Sequence, residues 1–218
     1  MPDESTKAHW RKVYSEKPAT EVSWYQQVPR RSLALIERAA AERGTDAGGP
    51  LRIVDIGAGA STLAEHLVLR SNTEICAVDL APEALALARA RVAVNVAPRI
   101  RWLEGDATQP LEGIAPGWAD IWHDRAVFHF LTSPQDRLAY ARNLSRILKP
   151  GGTAIVATFA PDGPARCSGL PVCRHDAESI VAEVSRCGRA FTLIGAEREE
   201  HLTPWGSVQP FLYAVMRG

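Results

Sequence analysis

Short apolar runs alternate with stretches of helical spacing from residue 51 to the end of the chain. LRIVDI is a continuous apolar run, typical of a strand covered on both faces, and EICAVDL, IRWLEG, ADIWHD and TAIVATFA also predict strands. Such strand–helix alternation favours a parallel sheet with right-handed crossovers. AFTLIGAE and FLYAVMR follow without a helix between them, so the last strand must run antiparallel. The sequence therefore predicts an α/β fold with a doubly wound, seven-stranded, mostly parallel sheet.

The length of 218 residues suits one α/β domain. We expect residues 1–49 to form an N-terminal lid and helix, and residues 50–218 to form the core. The helix that begins at Arg30 is predicted to end at Gly44, because glycine is a favourable residue after a helix C-terminus.

The charge balance and the apolar runs exclude several classes of protein. The chain has 25 basic and 25 acidic residues, which gives no electrostatic case for binding nucleic acid. MPDESTKAHWRK lacks the apolar region of a secretory signal, and no apolar run reaches the roughly 18 residues of a membrane span. We therefore expect a cytoplasmic monomer that binds neither nucleic acid nor membrane.

The four cysteines show no CxxC spacing and no disulfide framework. A soft-metal site at Cys167, Cys173 and Cys187 is the alternative to ordinary loop thiols, because thiolates suit such ions. That spacing fits no zinc pattern, so we predict no metal site.

Glycines and acidic residues follow the first three predicted strands. Asp55, Gly57, Ala58 and Gly59 stand where the first strand turns into a helix, and glycines there let a ligand approach main-chain NH groups. Asp79 and Leu80 end the second strand, where a carboxylate can bind both ribose hydroxyls of a nucleotide. Asp106 and Ala107 end the third, and we expect Asp106 to accept a hydrogen bond from an adenine amino group.

Two cofactor classes fit such a sheet: dinucleotides and S-adenosylmethionine (SAM). The dinucleotide fingerprint has a third glycine where this chain has Thr62. Asp55 would repel a pyrophosphate but suits an amino group. These features favour SAM, and residues 50–160 resemble the class I SAM-dependent methyltransferases. That resemblance implies that Asp55, Gly57 and Gly59 line the methionine part of SAM, Asp79 the ribose, and Asp106 with Ala107 the adenine.

A second resemblance, to the thiopurine S-methyltransferase family, covers nearly the whole chain. It rests on HWRKVY followed by SWYQ, on IWHDRA with one residue more than the family's Ile-Trp-Asp-Arg-Gly, and on Pro134-Gln-Asp-Arg-Leu-Ala-Tyr140. Ser168-Gly-Leu-Pro171 and His201-Leu-Thr-Pro-Trp205-Gly206 continue it in order. The glycine loop departs from that family and follows the general class I form. Because bacterial relatives of the family have diverse substrates, a thiopurine acceptor is not implied.

The stretch IWHDRAVFHFL places charges at the end of the fourth strand. We predict Asp124, Arg125 and His129 as catalytic residues, with Asp124 also beside the cofactor; the family resemblance implies that Arg125 contacts the acceptor. The alternatives are an ion pair of Arg125 with Asp124 or Asp136, and a packing role for His129. For His123 we favour a packing role, because it alternates with Asp124 along the strand.

Aromatic residues punctuate the polar N-terminal segment. Trp10, Tyr14 and Trp24, with Tyr25, are predicted to form a lid over SAM and the acceptor; the alternative is a small satellite core. The sequence thus predicts a SAM-dependent methyltransferase acting on a small-molecule acceptor, with a thiol or other soft nucleophile favoured. A protein-lysine N-methyltransferase is the alternative, and a non-catalytic SAM-binding sensor or scaffold is a third possibility.

Overall fold

The computed structural model describes residues 4–43 and 48–218, and its centre is a seven-stranded sheet. Its strands are Leu51–Ile56 (β1), Thr73–Asp79 (β2), Ile100–Glu104 (β3), Ala119–Arg125 (β4), Leu148–Phe159 (β5), Thr192–Leu202 (β8) and Val208–Arg217 (β9); Arg166–Cys167 (β6) and Leu170–Pro171 (β7) form a separate short hairpin. The strand order in the sheet is β3-β2-β1-β4-β5-β9-β8. β1 to β5 pair in parallel, and β9 runs antiparallel to both β5 and β8, which confirms the predicted sheet.

Helices cover both faces of this sheet. Apolar side chains of α5 and α6 pack on one face, and those of α2, α3 and α4 pack on the other. No helix in the described part of the chain is long and apolar enough to cross a membrane. The helices are Glu4–Glu16 (α1), Arg30–Glu42 (α2), Leu63–Leu67 (α3), Pro82–Arg89 (α4), Pro134–Ile147 (α5) and Ala177–Ser185 (α6).

Several element boundaries differ from the predictions. α4 ends at Arg89 rather than near residue 96, and β5 begins at Leu148 instead of after the Pro150-Gly-Gly stretch. Pro150 is exposed, and the β4–β5 register shifts between Ala119 and Ile121, so the strand accommodates a residue that cannot donate to the ladder. The predicted C-cap Gly44 lies outside the described residues.

A chain of buried hydrogen bonds joins β4 to α5. Trp122 Nε1 donates to the Tyr140 hydroxyl at 2.8 Å, and that hydroxyl donates to Asp124 Oδ2 at 2.8 Å. All three residues are fully buried, and the two rings pack edge to face. Buried polar groups are costly unless they are paired, so these bonds fix the position of the β4 terminus against α5.

Removing the Tyr140 hydroxyl should therefore destabilise the fold. Tyr140→Phe leaves the Trp122 NH without an acceptor and removes one donor from Asp124. We expect the free energy of unfolding to fall by about 1–3 kcal/mol, measured by urea denaturation with an unchanged m-value. Tyr25→Phe is the control, because Tyr25 is half-buried. Equal stabilities of the two variants would show that the hydrogen bonds of Tyr140 do not anchor β4.

Candidate functional site

A cavity of about 380 Å³ lies at the carboxyl ends of the parallel strands. This is the place where open α/β sheets bind ligands, and the volume is in the range of small-molecule sites. Most residues predicted to hold cofactor or acceptor line it: Trp10, Tyr14, Trp24, Gly57, Asp79, Leu80, Asp106, Ala107 and Arg125.

Asp79 joins two loops at the cavity wall. Its carboxylate accepts hydrogen bonds from Gly59 N and Ala81 N, both at 2.8 Å. The pKa of Asp79 is raised to about 6. Burial is the largest cause and nearby Asp55 adds to it, while the hydrogen bonds from backbone NH groups lower the pKa. Carboxylate oxygens have lone pairs beyond these two bonds, so Asp79 retains capacity to accept ligand hydroxyls.

The two glycines after β1 have conformations that side chains rarely adopt. Gly57 has φ +65° and Gly59 has φ +51°. A Cβ on Gly57 would stand 2.0 Å from Val127 Cγ2, and one on Gly59 would stand 2.5 Å from the Tyr14 hydroxyl. Both positions therefore favour glycine. Gly57 lines both cavities, whereas Gly59 lines neither and is held by its N–H bond to Asp79.

Asp106 and Ala107 form the wall beyond β3. The Asp106 carboxylate accepts from Thr108 N at 2.8 Å, which shapes a tight turn. Asn143 on α5 donates to the Ala107 carbonyl at 2.8 Å and to that of Gln109 at 2.7 Å. This wall is therefore held by a helix on one face of the sheet.

Helix α1 covers the cavity. The Trp10 ring packs edge to face on Trp24 at 5.6 Å and on Phe130 at 5.1 Å between centroids. Trp24 Nε1 donates to the Tyr14 hydroxyl at 3.3 Å. The outer side of α1 is tied to the core by the ion pairs Lys7–Glu104 and Arg11–Glu83. Trp10, Tyr14 and Trp24 thus line the cavity, where the lid prediction puts them. They also pack with Ala60, Ala81 and Ala84 in a small hydrophobic cluster separate from the two main ones, which is the satellite core of the alternative. That the segment acts as a lid stays a prediction.

Arg125 lies at the opposite wall, in a buried network that the sequence analysis did not anticipate. Its Nε donates to the Tyr213 hydroxyl at 3.0 Å, Nη1 donates to the Trp24 carbonyl at 3.2 Å, and Nη2 lies 3.6 Å from Glu199 Oε2. The guanidinium also lies 4.3 Å from the centroid of the Phe211 ring. Its ion-pair partner is thus Glu199, not Asp124 or Asp136. Nη2 is buried without a hydrogen bond, so one donor remains for a ligand.

Asp124 lies beneath the cavity wall and does not line the cavity. Its carboxylate accepts from Val127 N at 2.8 Å and Phe128 N at 3.1 Å, and from Tyr140. It thereby shapes the turn in which Ala126 has φ +77°. Burial raises its pKa to about 7, against the effect of these donors and of nearby His123. In this geometry Asp124 orders the loop that carries Val127, a cavity residue.

His129 lies outside the cavity. It belongs to the 3-10 turn Phe128–Phe130, not to the start of a helix, and packs against Phe159 and Phe211. Phe159 N donates to its Nδ1 at 3.3 Å, and burial lowers its pKa to about 3. The structure therefore gives His129 the neutral packing role that was the alternative to catalysis.

Asp55 and Ala58 line a smaller neighbouring cavity instead. The His123 ring is buried, as the favoured packing role requires, and it also forms a hydrogen-bonded pair, because Asp55 Oδ1 lies 2.7 Å from His123 Nδ1. The exposed Trp205 contributes to neither cavity, whereas Cys167 lines the larger one, where burial raises its pKa to about 11.

Across residues 4–43 and 48–218, no group of three or more His, Cys, Asp or Glu side chains could hold a metal ion.

The charges of the larger cavity discriminate between the two cofactor classes. In the described lining, the carboxylates of Asp79, Asp106 and Asp136 stand against one cation, that of Arg125. A pyrophosphate would meet this acidic wall at an electrostatic cost. Ribose hydroxyls, amino groups and a positive sulfonium suit it, and the glycine loop provides close backbone approach. The residues present therefore fit SAM.

Comparison with known proteins leads to the same conclusion. Residues 53–152 match a family model described as a methyltransferase domain. This part of the chain, somewhat less than half of its length, is similar to methyltransferase domains. S-adenosylmethionine is the cofactor of such domains.

Two curated relatives are similar to part of the chain. A malonyl-[acyl-carrier protein] O-methyltransferase from Paenibacillus is 27% identical over 130 residues, which cover 59% of this chain and 45% of the relative. A ubiquinone biosynthesis O-methyltransferase from Xanthomonas campestris is 32% identical over 111 residues, or 50% of this chain and 43% of the relative. The chain thus spans less than half the length of these relatives.

One solved structure is similar in fold to almost the whole of this chain. The SAM-dependent methyltransferase from Anabaena variabilis superposes with a TM-score of 0.68 over 98% of this chain and 93% of that one, at 16% identity. At this identity the likeness concerns the fold. It confirms the seven-stranded methyltransferase architecture.

The raised pKa of Asp124 predicts a pH dependence of stability. Because the folded state holds this proton more tightly than the unfolded state, the contribution is complete below about pH 4 and is lost as the pH rises to about 7. We expect the stability difference between wild type and Asp124→Asn to fall by up to about 1.4 kcal/mol per pH unit in this window. Urea denaturation at several pH values measures it, with the exposed Asp162→Asn as the control. A difference that is flat or rises with pH would contradict the assignment.

Proposed function

We propose that the chain transfers the methyl group of SAM to a small-molecule acceptor. The observation that carries this proposal is the larger cavity at the strand ends. Acidic residues and the glycine loop line one part of it, Arg125, Phe130 and Cys167 line another, and α1 covers both. A cofactor and a small acceptor would share this closed space, where the protein holds the two reactants in line and excludes water.

The cofactor would be held by the residues at the ends of β1, β2 and β3. Asp79 would accept from the ribose hydroxyls, Leu80 would flank the adenosine, and Asp106 with Ala107 would bind the adenine. Gly57, Ala58 and Gly59 would approach the methionine part, with Asp55 nearby. SAM supplies an electrophilic methyl group on a sulfonium, and the acidic wall favours that positive charge.

The acceptor would lie between Arg125 and the aromatic cover, which is formed by the rings of Trp10, Tyr14 and Trp24. Arg125 is fixed by Tyr213, Glu199 and the Trp24 carbonyl, so its free Nη2 donor has a defined direction. Such a preorganised guanidinium suits a polar or anionic group on the acceptor. The aromatic cover supports a small acceptor over a protein lysine, which would need an open cleft.

The acceptor atom is the finer part of the proposal. The resemblance to thiopurine S-methyltransferases favours a thiol, whereas the two curated relatives are named as O-methyltransferases. A transfer screen with labelled SAM should cover thiols, phenols, halides and whole-cell protein extract. Labelled small molecules support the proposal. Label in protein alone would establish the lysine alternative, and SAM binding without any transfer would establish a sensor or scaffold.

Asp79 should control cofactor affinity. Asp79→Asn removes the charge that strengthens hydrogen bonds to the ribose, so binding of S-adenosylhomocysteine should weaken by about 1.5–3 kcal/mol, or roughly ten- to a hundred-fold in Kd. Calorimetry on the folded variant measures this, with Asp162→Asn as the exposed control. Unchanged affinity would refute the ribose assignment.

The aromatic cover should contribute to cofactor affinity but little to the stability of the sheet. Trp10→Ala removes the ring that contacts Trp24 and Phe130, so Kd for S-adenosylhomocysteine should rise at least five-fold, equivalent to about 1 kcal/mol. Thermal unfolding should show little change, because Trp10 lies outside both main core clusters. Trp205→Ala, which removes an exposed indole, is the matched control. Equal affinity of both variants would mean that α1 does not cover the cofactor.

A further inference from the structure

Three buried polar side chains from separate elements form a continuous hydrogen-bonded line. Asp55 Oδ1 on β1 lies 2.7 Å from His123 Nδ1 on β4, and His123 Nε2 lies 2.9 Å from Ser32 Oγ on α2. The three residues are 1–3% exposed. The order carboxylate, imidazole, hydroxyl is the one by which proteins transfer protons to and from a histidine.

This line borders a small cavity of about 50 Å³ beside the larger one. Ser32, Asp55 and His123 all line the small cavity. It is polar and large enough for water, which needs roughly 10–15 Å³. The two cavities share four lining residues: Tyr14, Trp24, Gly57 and Arg125. The two cavities therefore border each other at these four residues.

The other end of the line reaches the Arg125 network. Ser32 interacts with the Tyr213 hydroxyl, which accepts from Arg125 Nε at 3.0 Å and donates to Glu199 Oε2 at 2.8 Å. Burial raises the pKa of Tyr213 to about 12, so its hydroxyl keeps its proton. The line therefore connects the β1 terminus to the wall that would hold the acceptor.

The hydrogen bonds of this line permit two proton arrangements. In one, His123 carries a proton on Nδ1 only, donates it to Asp55, and accepts from Ser32. In the other, His123 carries both ring protons, donates to Asp55 and Ser32, and the Ser32 hydroxyl turns to donate to Tyr213. The bonds of His123 to Asp55 and to Ser32 are kept in both arrangements, because a hydroxyl both donates and accepts. In the first arrangement no proton lies between Ser32 and Tyr213, since the Ser32 proton points to His123 and the Tyr213 proton to Glu199. The line can therefore take up one proton by turning one hydroxyl, and Asp55 stabilises the resulting positive charge.

We propose that His123, through Ser32 and the small cavity, accepts the proton that a hydroxyl acceptor loses during methylation. The inference rests on the proposed methyl transfer. The acceptor oxygen uses a lone pair to form the new bond to the methyl carbon, the methyl–sulfur bond breaks toward sulfur, and the O–H proton passes to His123 Nε2. The substrate class is then an alcohol or phenol that stays protonated at neutral pH. A thiolate needs no such base.

The charged and titratable groups around this pair come from several elements. Asp79 on β2 interacts with Asp55, and Asp124 on β4 interacts with His123. Arg125 lines both cavities, and Tyr213 on β9 interacts with Ser32. Neither Asp124 nor His129 lines either cavity, so His123 is better placed than either to receive a proton from the acceptor.

The first test observes the protonation of His123 without turnover. Nitrogen NMR of the full chain labelled at its six histidines reports ring protons directly, and His123→Gln identifies the signal. We expect His123 to carry its proton on Nδ1, in a strong hydrogen bond to Asp55, and to accept from Ser32 at Nε2, so that Nε2 has the lone pair that a base requires. An Nε2 that carries the only ring proton would overturn the proposal.

The second test compares two acceptors. 4-Methoxyphenol keeps its proton at neutral pH, whereas iodide has none to lose. His123→Gln should lower kcat with the phenol at least a hundred-fold, within the range for general-base catalysis, and remove the acid limb of its pH profile. Transfer to iodide and affinity for S-adenosylhomocysteine should change less than three-fold. Ser32→Ala should show the same split more weakly, and Ser32→Thr should restore phenol turnover in part.

The outcomes separate this inference from the proposed function. Wild-type protein that methylates neither acceptor and fails the wider screen would contradict the proposed function. Wild-type transfer to iodide but not to the phenol would contradict the hydroxyl assignment alone. Equal losses with phenol and iodide in His123→Gln would show that His123 only holds α2 against the sheet, and would overturn the proposal.

Discussion

Carboxylates at the ends of the parallel strands shape the loops of the site by accepting hydrogen bonds from main-chain NH groups. Asp79 binds Gly59 N and Ala81 N, so the loops after β1 and β2 are held together by one side chain. Asp124 binds Val127 N and Phe128 N and thereby fixes the loop after β4. Asp124 is fully buried and Asp79 is half-buried at the cavity wall, and burial raises the pKa of both. These hydrogen bonds thus fix the shape of the loops without a ligand, and Asp79 retains lone pairs that can accept hydrogen bonds from one.

The polar interior is divided between two networks. On the acceptor side, Arg125, Tyr213 and Glu199 balance a buried cation with a carboxylate, and Gln26 Nε2 donates to the other oxygen of Glu199 at 2.9 Å. On the side of β1, Asp55, His123 and Ser32 join the sheet to α2. Both networks include residues of the N-terminal 43 residues. The N-terminal segment therefore completes the site as well as covering it.

The sheet could be predicted from sequence because its signals are local. Apolar runs, the glycine turn at Gly57 and Gly59 and the acids at the strand ends each occupy a few adjacent residues. The partner of Arg125 could not be predicted, because Glu199 lies on the distant edge strand β8 and nothing near Arg125 in sequence marks it. His129 was predicted as catalytic from its position after a strand, but the 3-10 turn directs it into the core. His123 was assigned to packing because alternation predicts a direction and not a partner; the acid at Asp55 and the hydroxyl at Ser32 gave no local signal.

The central claim is that SAM lies under α1 with its ribose on Asp79. A crystal structure of the chain with S-adenosylhomocysteine tests it most directly. The account predicts both ribose hydroxyls within hydrogen-bond distance of the Asp79 carboxylate, the adenine amino group beside Asp106, and Trp10 over the ligand. A ligand bound elsewhere, or a ribose turned away from Asp79, would contradict it.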